Sequence, residues 1–521
     1  MEGQTQESKE ILNLSSPTGG QGAVYFIGIG GIGMSAIARY FHSQGVEVSG
    51  YDRAATELTK QLEAEGISIH YSEDVNAIPK DVDLVVYTPA IPKDHAELVY
   101  YGENGYKVVK RSDVLQAISA DSFNICVAGT HGKTTISTMI AHILRHSGYG
   151  CNAFLGGISV NYGTNFWSSA NNVCVIEADE YDRSFLKLSP NVAIITAMDA
   201  DHLDIYGDEK SMQDAFVEFA NKIKDGGLLI SKFGLKRIRP PKSPGGGLAN
   251  SQAPLVENAD RKSESSESGD LKGGEAAPPE EFGETRRGLT YSLQNDSADV
   301  FAQNIKIEDG GYEFDVNGKI ALSNIKLRIG GMHNVENALV AMVVASELGI
   351  DEAKIKAAVA DFKGVKRRFE YIIAPKKKQQ GGYVEPILID DYAHHPEELR
   401  ALLTSVRSLF PQRIVTVVFQ PHLFTRTRDL ADGFADVLSI ADRVILLPIY
   451  PARELPIEGV SSEMLLNKID HAEKMMLKKE ELINWMKGHE VNKEFGEVIV
   501  MAGAGDIDAL VQPVKNIIEK K

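Results

Sequence analysis

The feature that most constrains this chain is a rhythm: short apolar runs alternate with amphipathic segments from Ala23 onward. "AVYFIGIG", "VEVSGYD" and "DLVVYTPA" form a first group of runs, and "FNICVAGT", "NVCVIEAD" and "NVAIITAMD" a second. "EPILIDDYAHHP", "RIVTVVFQPH", "RVILLPIYP" and "EVIVMAGAGD" form a third. Strands of this kind, alternating with helices, specify an α/β fold with parallel sheets covered on their faces. Within the third group, Leu399, Leu402, Leu403, Val406, Leu409 and Phe410 recur at helical spacing, which predicts a helix facing that sheet. With 521 residues, 43% of them apolar, the chain is long enough for about three cores. The expected division is 23–121, 122–364 and 365–521, after a polar N-terminus, 1–22, expected to be disordered.

One stretch breaks the rhythm. Residues 239–288 are rich in Pro, Gly, Ser and Glu, with Phe282 as the single aromatic. Such a composition cannot bury enough apolar area to offset its ordering entropy, so a surface insertion in the middle domain is expected, with a regulatory docking segment as the alternative. The net charge of -17 argues against a nucleic-acid partner, because phosphate backbones are bound by basic surfaces. The three cysteines, Cys126, Cys151 and Cys174, make no paired motif, which fits a reducing compartment without zinc or disulfides. No basic-then-apolar leader is visible, and no apolar run approaches the roughly 18 residues that span a bilayer. A soluble cytoplasmic protein without membrane insertion is expected.

Two glycine loops then compete to define the chemistry. Gly28, Gly30 and Gly33 form G-x-G-x-x-G between a strand and a helix, with Asp52 at the end of the next strand. Backbone N–H groups there can approach a diphosphate at the positive end of the helix. The motif specifies a diphosphate more firmly than a nicotinamide, and a turn needed only for helix–sheet packing also accounts for it. The second loop, Gly129-Thr130-His131-Gly132-Lys133-Thr134, is shorter than a full Walker loop, which would place glycine at 127 where this chain has valine. Its mechanics are the same: Gly132 turns donors toward phosphate oxygens, Lys133 supplies charge near the β and γ positions, and the Thr134 hydroxyl can ligate Mg²⁺. Candidate partners for a metal lie past the next strands: Glu177, Asp179 and Glu180, then Asp199, Asp201, His202 and Asp204. Glu177 is favoured because it stands nearest its strand end.

In order, "FIGIGGIGMS", "GTHGKTT", "IEADE", "ADHLD", "GMHNVENALVA", "GVKRRFE", "DDYAHHP" and "FQPHLFTRTRD" resemble the Mur ligases of peptidoglycan synthesis. The resemblance runs from about residue 23 to the end, apart from the insertion, and is strongest to members that join L-alanine to UDP-N-acetylmuramate. It implies three domains: a Rossmann-like N-terminal domain for the UDP-sugar, a central P-loop ATPase-like α/β domain for ATP, and a C-terminal Rossmann-like α/β domain that closes over both. The first loop would hold the UDP diphosphate and the second ATP, so the nicotinamide reading drops out.

The resemblance also implies roles. The lactyl carboxylate would attack the γ-phosphorus of ATP, and the amine of L-alanine would then attack the resulting acyl phosphate. Lys133, His202, Arg368 and His394 would be catalytic. Gly129, Thr130, His131, Gly132, Lys133, Thr134 and Thr135 would hold ATP, with Asn334 and Asn337 near the adenine, Asp391 at the ribose and Arg368 at the γ-phosphate. Without the resemblance, His333, Asn334 and Asn337 read equally well as a polar helix start. Thr134 and Glu177 would hold one Mg²⁺, and His202 with Glu177 a second. The UDP-sugar would meet Gly28, Gly30, Gly31, Gly33, Asp52, Thr88 and Asn161, and the alanine would meet Tyr392, His394, His422 and Arg426. Two departures stand out: Leu423 where some members carry Arg, and Asp94-His95 where Asn-Pro is common. The rival readings are a related ligase adding another amino acid or a preformed peptide, a nicotinamide-dependent dehydrogenase, and a non-catalytic nucleotide-binding regulator.

Deleting residues 239–288 should leave ATP-dependent turnover nearly intact in a phosphate-release assay. A loss of more than about tenfold would show that the insertion packs on the catalytic body.

Overall fold

The computed structural model describes residues 11, 22–199, 203–239, 280–281, 287–376, 385–452, 454–470, 473–492 and 494–520. Most of the segment 239–288 lies outside them, as does the leader 1–22 except for Ile11 and Gly22. Ile11 is buried among apolar side chains of the first unit.

Three sheets follow one another along the chain. The first contains β1 (Ala23–Ile27), β2 (Glu47–Tyr51), β3 (Ser68–His70), β4 (Leu84–Tyr87) and β5 (Val108–Lys110), in the spatial order β3-β2-β1-β4-β5. All its pairings are parallel, so every strand ends on the same edge. Between β1 and β2, α1 (Ile32–Ser43) buries Met34, Ile37, Ala38 and Phe41, the stripe expected of an amphipathic helix.

The other side of α1 meets the central unit. Arg39, almost fully buried, donates to Asn165 Oδ1 at 2.5 Å and pairs with Glu65 at 2.7 Å. Asn165, with no exposed surface, donates in turn to Ile32 O at 2.5 Å and Ser35 Oγ at 3.0 Å. Tyr40 packs beside them against Phe154 and Phe166. These buried polar groups are paired with one another, which is the condition for burying them.

The central sheet has ten strands. β6 (Phe123–Ala128), β7 (Asn152–Phe154), β8 (Phe166–Trp167), β9 (Val173–Glu177), β10 (Val192–Ile195) and β11 (Leu228–Lys232) precede a small pair, β12 (Ile238–Arg239) with β13 (Glu280–Glu281). β14 (Arg287–Ser292), β15 (Val300–Glu308), β16 (Gly311–Gly318) and β17 (Leu322–Leu327) complete the sheet in the order β17-β16-β15-β14-β11-β10-β6-β9-β7-β8. Its middle is parallel, with an antiparallel meander at one edge. α2 (Lys133–His146) leaves β6 and packs against α3 (Met332–Glu347) and α4 (Glu352–Asp361). His142 sits at that seam with no exposed surface, its Nε2 2.9 Å from Ala358 O and its Nδ1 3.0 Å from Tyr162 Oη.

The third sheet is formed by β18 (Glu370–Ile373), β19 (Ile387–Asp391), β20 (Ile414–Phe419), β21 (Arg443–Leu446), β22 (Lys474–Met476) and β23 (Glu497–Ala502). Their order is β18-β19-β23-β20-β21-β22, and only β18 runs antiparallel to its neighbour. The helix expected after β19 is α5 (Pro396–Leu409), which buries Leu399, Leu402, Leu403, Val406 and Leu409. Proline at its first position and the His395 cap define its start. α6 (Asp508–Ile518) closes the chain against the far side of the sheet.

Burial holds the His142 imidazole neutral, with its pKa lowered from 6.5 to about 4 despite the Ala358 carbonyl. The neutral form is the one the fold accepts, so this group's contribution is fully present above pH 6.5 and is lost as pH falls through about 4. Between pH 7 and 5 that amounts to about 2 kcal/mol. His142→Gln, which keeps a donor and an acceptor but does not titrate, should therefore lose less stability in urea unfolding over that interval. Equal losses in variant and wild type would remove His142 as the cause.

Candidate active site

The second glycine loop joins β6 to α2 and turns on left-handed glycines. Gly132, just before α2, has φ +82°, and Gly129 has φ +123°. A Cβ on Gly129 would lie 2.2 Å from Thr196 Oγ1 at the end of β10, so glycine is required by both conformation and space. Thr196 donates to the His131 carbonyl and, at 3.3 Å, to that of Ala128, pinning the loop to the neighbouring strand. No side chain caps α2, which leaves its first-turn N–H groups as an anion seat at the positive end of the helix. Thr130 and Thr135 are buried along this turn.

Lys133 Nζ donates to Gly129 O at 2.8 Å and to Glu180 Oε1 at 2.7 Å. Glu180 has no exposed surface, and its second oxygen has no hydrogen-bond partner among the described residues. Burial pushes its carboxyl above the usual range, opposed by the ammonium beside it. An ammonium has three donors; two are spent here, and the third remains for a phosphate oxygen.

Thr134 Oγ1 donates to Glu177 Oε1 at 2.8 Å. The same carboxylate accepts from Gly156 N at 2.9 Å, and a Cβ on Gly156 would lie 2.4 Å from both of its oxygens. Gly156 thus belongs to the Glu177 cradle. A hydroxyl and a carboxylate side by side at an anion seat are the hard oxygen donors that Mg²⁺ takes, so the residues present fit this metal. His202 and Asp201 lie outside the described residues. Asp199 stands 3.8 Å from His131 Nε2, both side chains exposed.

α3 faces the same loop. Asn337 Oδ1 would lie 3.0 Å from a Cβ on Gly132, and its amide donates to Asn334 Oδ1 at 3.0 Å. Asn334 is buried and donates to Gly330 O at 2.6 Å, so it fastens the start of the helix. Of the two asparagines, Asn337 is the one set against the loop.

The first loop is equally well defined. Gly28 N and Ile29 N donate to Tyr51 O at 2.8 and 3.0 Å, Gly31 N to Gly28 O at 3.2 Å, and Gly30 N to Asp52 Oδ2 at 2.8 Å. Thr88, past β4, packs beside Gly28, and the Arg111 guanidinium covers Gly33, where a Cβ would lie 2.9 Å from Nη1. Gly28, Gly30, Gly31, Gly33, Asp52 and Thr88 therefore gather at one edge of the first sheet. Asn161 does not join them. Its amide donates to Asp361 O at 2.8 Å and its oxygen accepts from Lys363 N at 2.9 Å, fastening the turn after α4.

The third unit contributes from the opposite side. Arg368 Nη2 reaches to 3.4 Å of Thr134 Oγ1. Asp391 accepts from Phe369 N and Ala393 N, each at 2.7 Å, so its carboxylate organises the chain around Arg368. Desolvation pushes it up to about 6 against those two donors. Next to it, ring centroids of Tyr392 and His394 lie 5.1 Å apart, those of His394 and His422 6.0 Å, and those of His422 and Tyr450 5.7 Å. Arg426 Nη1 approaches His422 Nδ1 at 3.3 Å. Burial keeps both histidines below the ordinary imidazole range, His422 further lowered by Arg426. Neutral imidazoles beside a guanidinium suit a ligand that carries both a carboxylate and a proton to lose.

Arg111, Arg367 and Tyr450 carry no role in the sequence reading, and Glu180 stands there only among the metal candidates. Glu180 was one of several acids past β9, and nothing in "IEADE" singles out the partner of Lys133. Arg111 directly follows β5 in "VVKRSD", Arg367 adjoins Arg368 in "KRRFE", and Tyr450 is brought to His422 by a bridge between distant strand ends. Of these only the basic pair after β5 offered a signal.

Residues 23–123 match the Mur ligase family, catalytic domain; residues 127–236 and 280–345 match the Mur ligase middle domain; and residues 367–505 match the Mur ligase, glutamate ligase domain. The chain is 44% identical to a UDP-N-acetylmuramate–L-alanine ligase of Cytophaga hutchinsonii, covering 96% of this chain and 97% of the relative. Against the enzyme of the same name from Flavobacterium psychrophilum the identity is 45%, over 96% and 98%. Among solved structures, the crystal structure of UDP-N-acetylmuramate-alanine ligase MurC from Thermotoga maritima superposes with a TM-score of 0.71 at 25% identity, covering 96% of this chain and 98% of that one. On its three matched segments and its full-length relatives, this chain belongs to the Mur ligase family.

Proposed function

We propose that the chain joins L-alanine to the lactyl carboxylate of UDP-N-acetylmuramate at the expense of ATP, in the cytoplasm, as a step of peptidoglycan precursor synthesis. The observation that carries this reading is the convergence of Lys133, Thr134 with Glu177, and Arg368 on one phosphate loop from three separate elements. A carboxylate is a poor acyl donor until one of its oxygens becomes part of a leaving group. Its oxygen therefore attacks the γ-phosphorus, the bond to the β-bridging oxygen breaks, and ADP leaves. The amine of L-alanine then attacks the acyl carbon, phosphate departs with the C–O electrons, and the ammonium proton passes to a base.

The protein contributes mainly position and charge. The free donor of Lys133 and the guanidinium of Arg368 would neutralise the transferring phosphoryl group from two sides. Mg²⁺, held by Thr134, Glu177 and His202, would supply charge neutralisation between two anionic reactants. The first loop would seat the diphosphate of the sugar nucleotide, with Asp52 fixing its shape. Arg426 would pair with the alanine carboxylate, and neutral His394 or His422 would accept the proton.

Phosphate release should require ATP, Mg²⁺, UDP-N-acetylmuramate and L-alanine together. Release supported equally by other amino acids or by a preformed peptide would favour a related ligase, and a nicotinamide absorbance change without ATP would overturn the assignment. Lys133→Ala should abolish turnover while calorimetric binding of UDP-N-acetylmuramate persists, since the two loops are on different sheets. Retained turnover would remove Lys133 from the mechanism.

A further inference from the structure

The chain passes from the central to the C-terminal unit between Lys366 and Arg367. Up to Lys366 its backbone belongs to the central unit: Val160 N donates to Gly364 O at 3.1 Å and Lys366 N to Ile158 O at 2.9 Å. From Arg367 its ties turn to the other unit, Tyr392 N donating to Arg367 O at 2.7 Å and Phe369 N to Asp391 Oδ2 at 2.7 Å, while Arg368 N still donates back to Val365 O at 3.1 Å. Arg367 and Phe369 both have left-handed backbones, φ +59° and +49°, in side chains that disfavour them. Arg368 is bracketed by these two residues, yet its side chain points back across the junction to Thr134.

Arg367 is what holds the bracket. Its Nη2 donates to the carbonyl of Gly503, past β23, and its Nη1 lies 3.4 Å from Asp508 at the start of α6. Its Nε lies 3.8 Å from buried Asp390 on β19, its guanidinium stacks 5.1 Å from the Tyr392 ring, and its own N–H donates to Glu370 Oε2 at 2.9 Å. Three segments of the C-terminal unit thus grip one side chain that, among the described residues, makes no hydrogen bond or ion pair with the phosphate loop. We propose that Arg367 is a positioning residue: it locks the strained turn to the C-terminal unit so that movement of this unit carries the Arg368 guanidinium to or from the terminal phosphate. A plain anchor for the linker would stabilise the fold without acting through Arg368. The inference rests on the functional reading above.

The test is a double-mutant cycle in the full chain, with turnover under saturating substrates, the KM for ATP and the melting temperature all recorded. Arg367→Ala should lower kcat by about 10- to 100-fold while the KM for ATP changes less than about threefold. Arg367→Lys, which keeps the charge but not the fork, should recover part of the loss. In an Arg368→Ala background, Arg367→Ala should lower kcat no further. Multiplicative losses in the double variant would overturn the proposal, as would a fall in kcat that only follows a fall in melting temperature. If Arg367→Ala does not fold, Arg367→Lys and Arg367→Gln complete the cycle. A wild type that does not turn over, or one indifferent to Arg368→Ala, sinks the functional reading, whereas a working enzyme in which Arg368→Ala is damaging but Arg367→Ala acts independently of it sinks this inference alone.

Discussion

The ammonium of Lys133, held between the Gly129 carbonyl and the buried carboxylate of Glu180, is the contact on which the rest of the site depends. A buried carboxylate without a counter-charge costs several kcal/mol, so the lysine and the acid fix each other's place. Sheet topology makes the pairing possible. β10, β6 and β9 are parallel neighbours, so Thr196, the glycine loop, and Glu177 with Glu180 all emerge at the same edge. Thr196 pins the loop from one side, while Glu177 and Glu180 hold Thr134 and Lys133 from the other. The anion seat is therefore shaped by the protein's own contacts, as electrostatic catalysis without reorganisation requires.

The two seams flanking the central unit are built differently. At the first, Arg39, Glu65 and Asn165 form a buried polar knot beside the Tyr40, Phe154 and Phe166 rings. Separating that seam would strip partners from several buried groups at once, so the N-terminal unit is set rigidly against the nucleotide domain. At the second, backbone hydrogen bonds on either side of Lys366 meet at left-handed residues, the Phe369 ring covers Gly330, and Tyr371 Oη donates to Gly310 O at 2.6 Å. Hinges are drawn from such element-terminal positions, where a change in φ and ψ is absorbed by few residues. The first seam is thus tied by buried polar groups, and the arginine that reaches the phosphate loop sits at a junction of left-handed residues.

Strand and helix order was readable because burial on both faces leaves uninterrupted apolar runs, and α5 because its leucines keep a 3.6-residue period. The glycine loops were readable because left-handed turns at a strand end admit almost no other residue. Partnership across the fold was not. "IEADE" presents acids at three of five positions, and only the path of the chain past β9 decides that Glu177 meets Thr134 while Glu180 meets Lys133. Asn334 and Asn337 look alike in the sequence, yet one faces its own helix start and the other the phosphate loop. Asn161, expected at the sugar from the resemblance of its segment to a sugar-side loop of the middle domain, places both ends of its amide on backbone groups of Asp361 and Lys363, a partnership no motif encodes. Asp391 likewise spends its oxygens on Phe369 and Ala393, a role that no spacing rule encodes.

The adjacent arginines divide a charge problem between them. Glu370, Asp390 and Asp391 are crowded into one corner of the third sheet, and burial pushes their carboxyls upward, Asp390 to about 7 and Asp391 to about 6. Asp390 is pulled back chiefly by Arg367 and pushed further by Glu370, Asp391 and Asp508. A cation is needed there, and Arg367 supplies it with a planar fork that reaches Asp390, Asp508 and the Gly503 carbonyl together. Arg368 makes no ion pair among the described residues and its side chain hydrogen-bonds only the Thr134 hydroxyl there, while its charge helps to hold the Asp391 carboxyl down. An arginine already bound to a carboxylate would have to break that pair before it could meet a phosphate. Two successive arginines, one consumed by structure and one left over, deliver an unpaired positive charge to the place where negative charge must be neutralised.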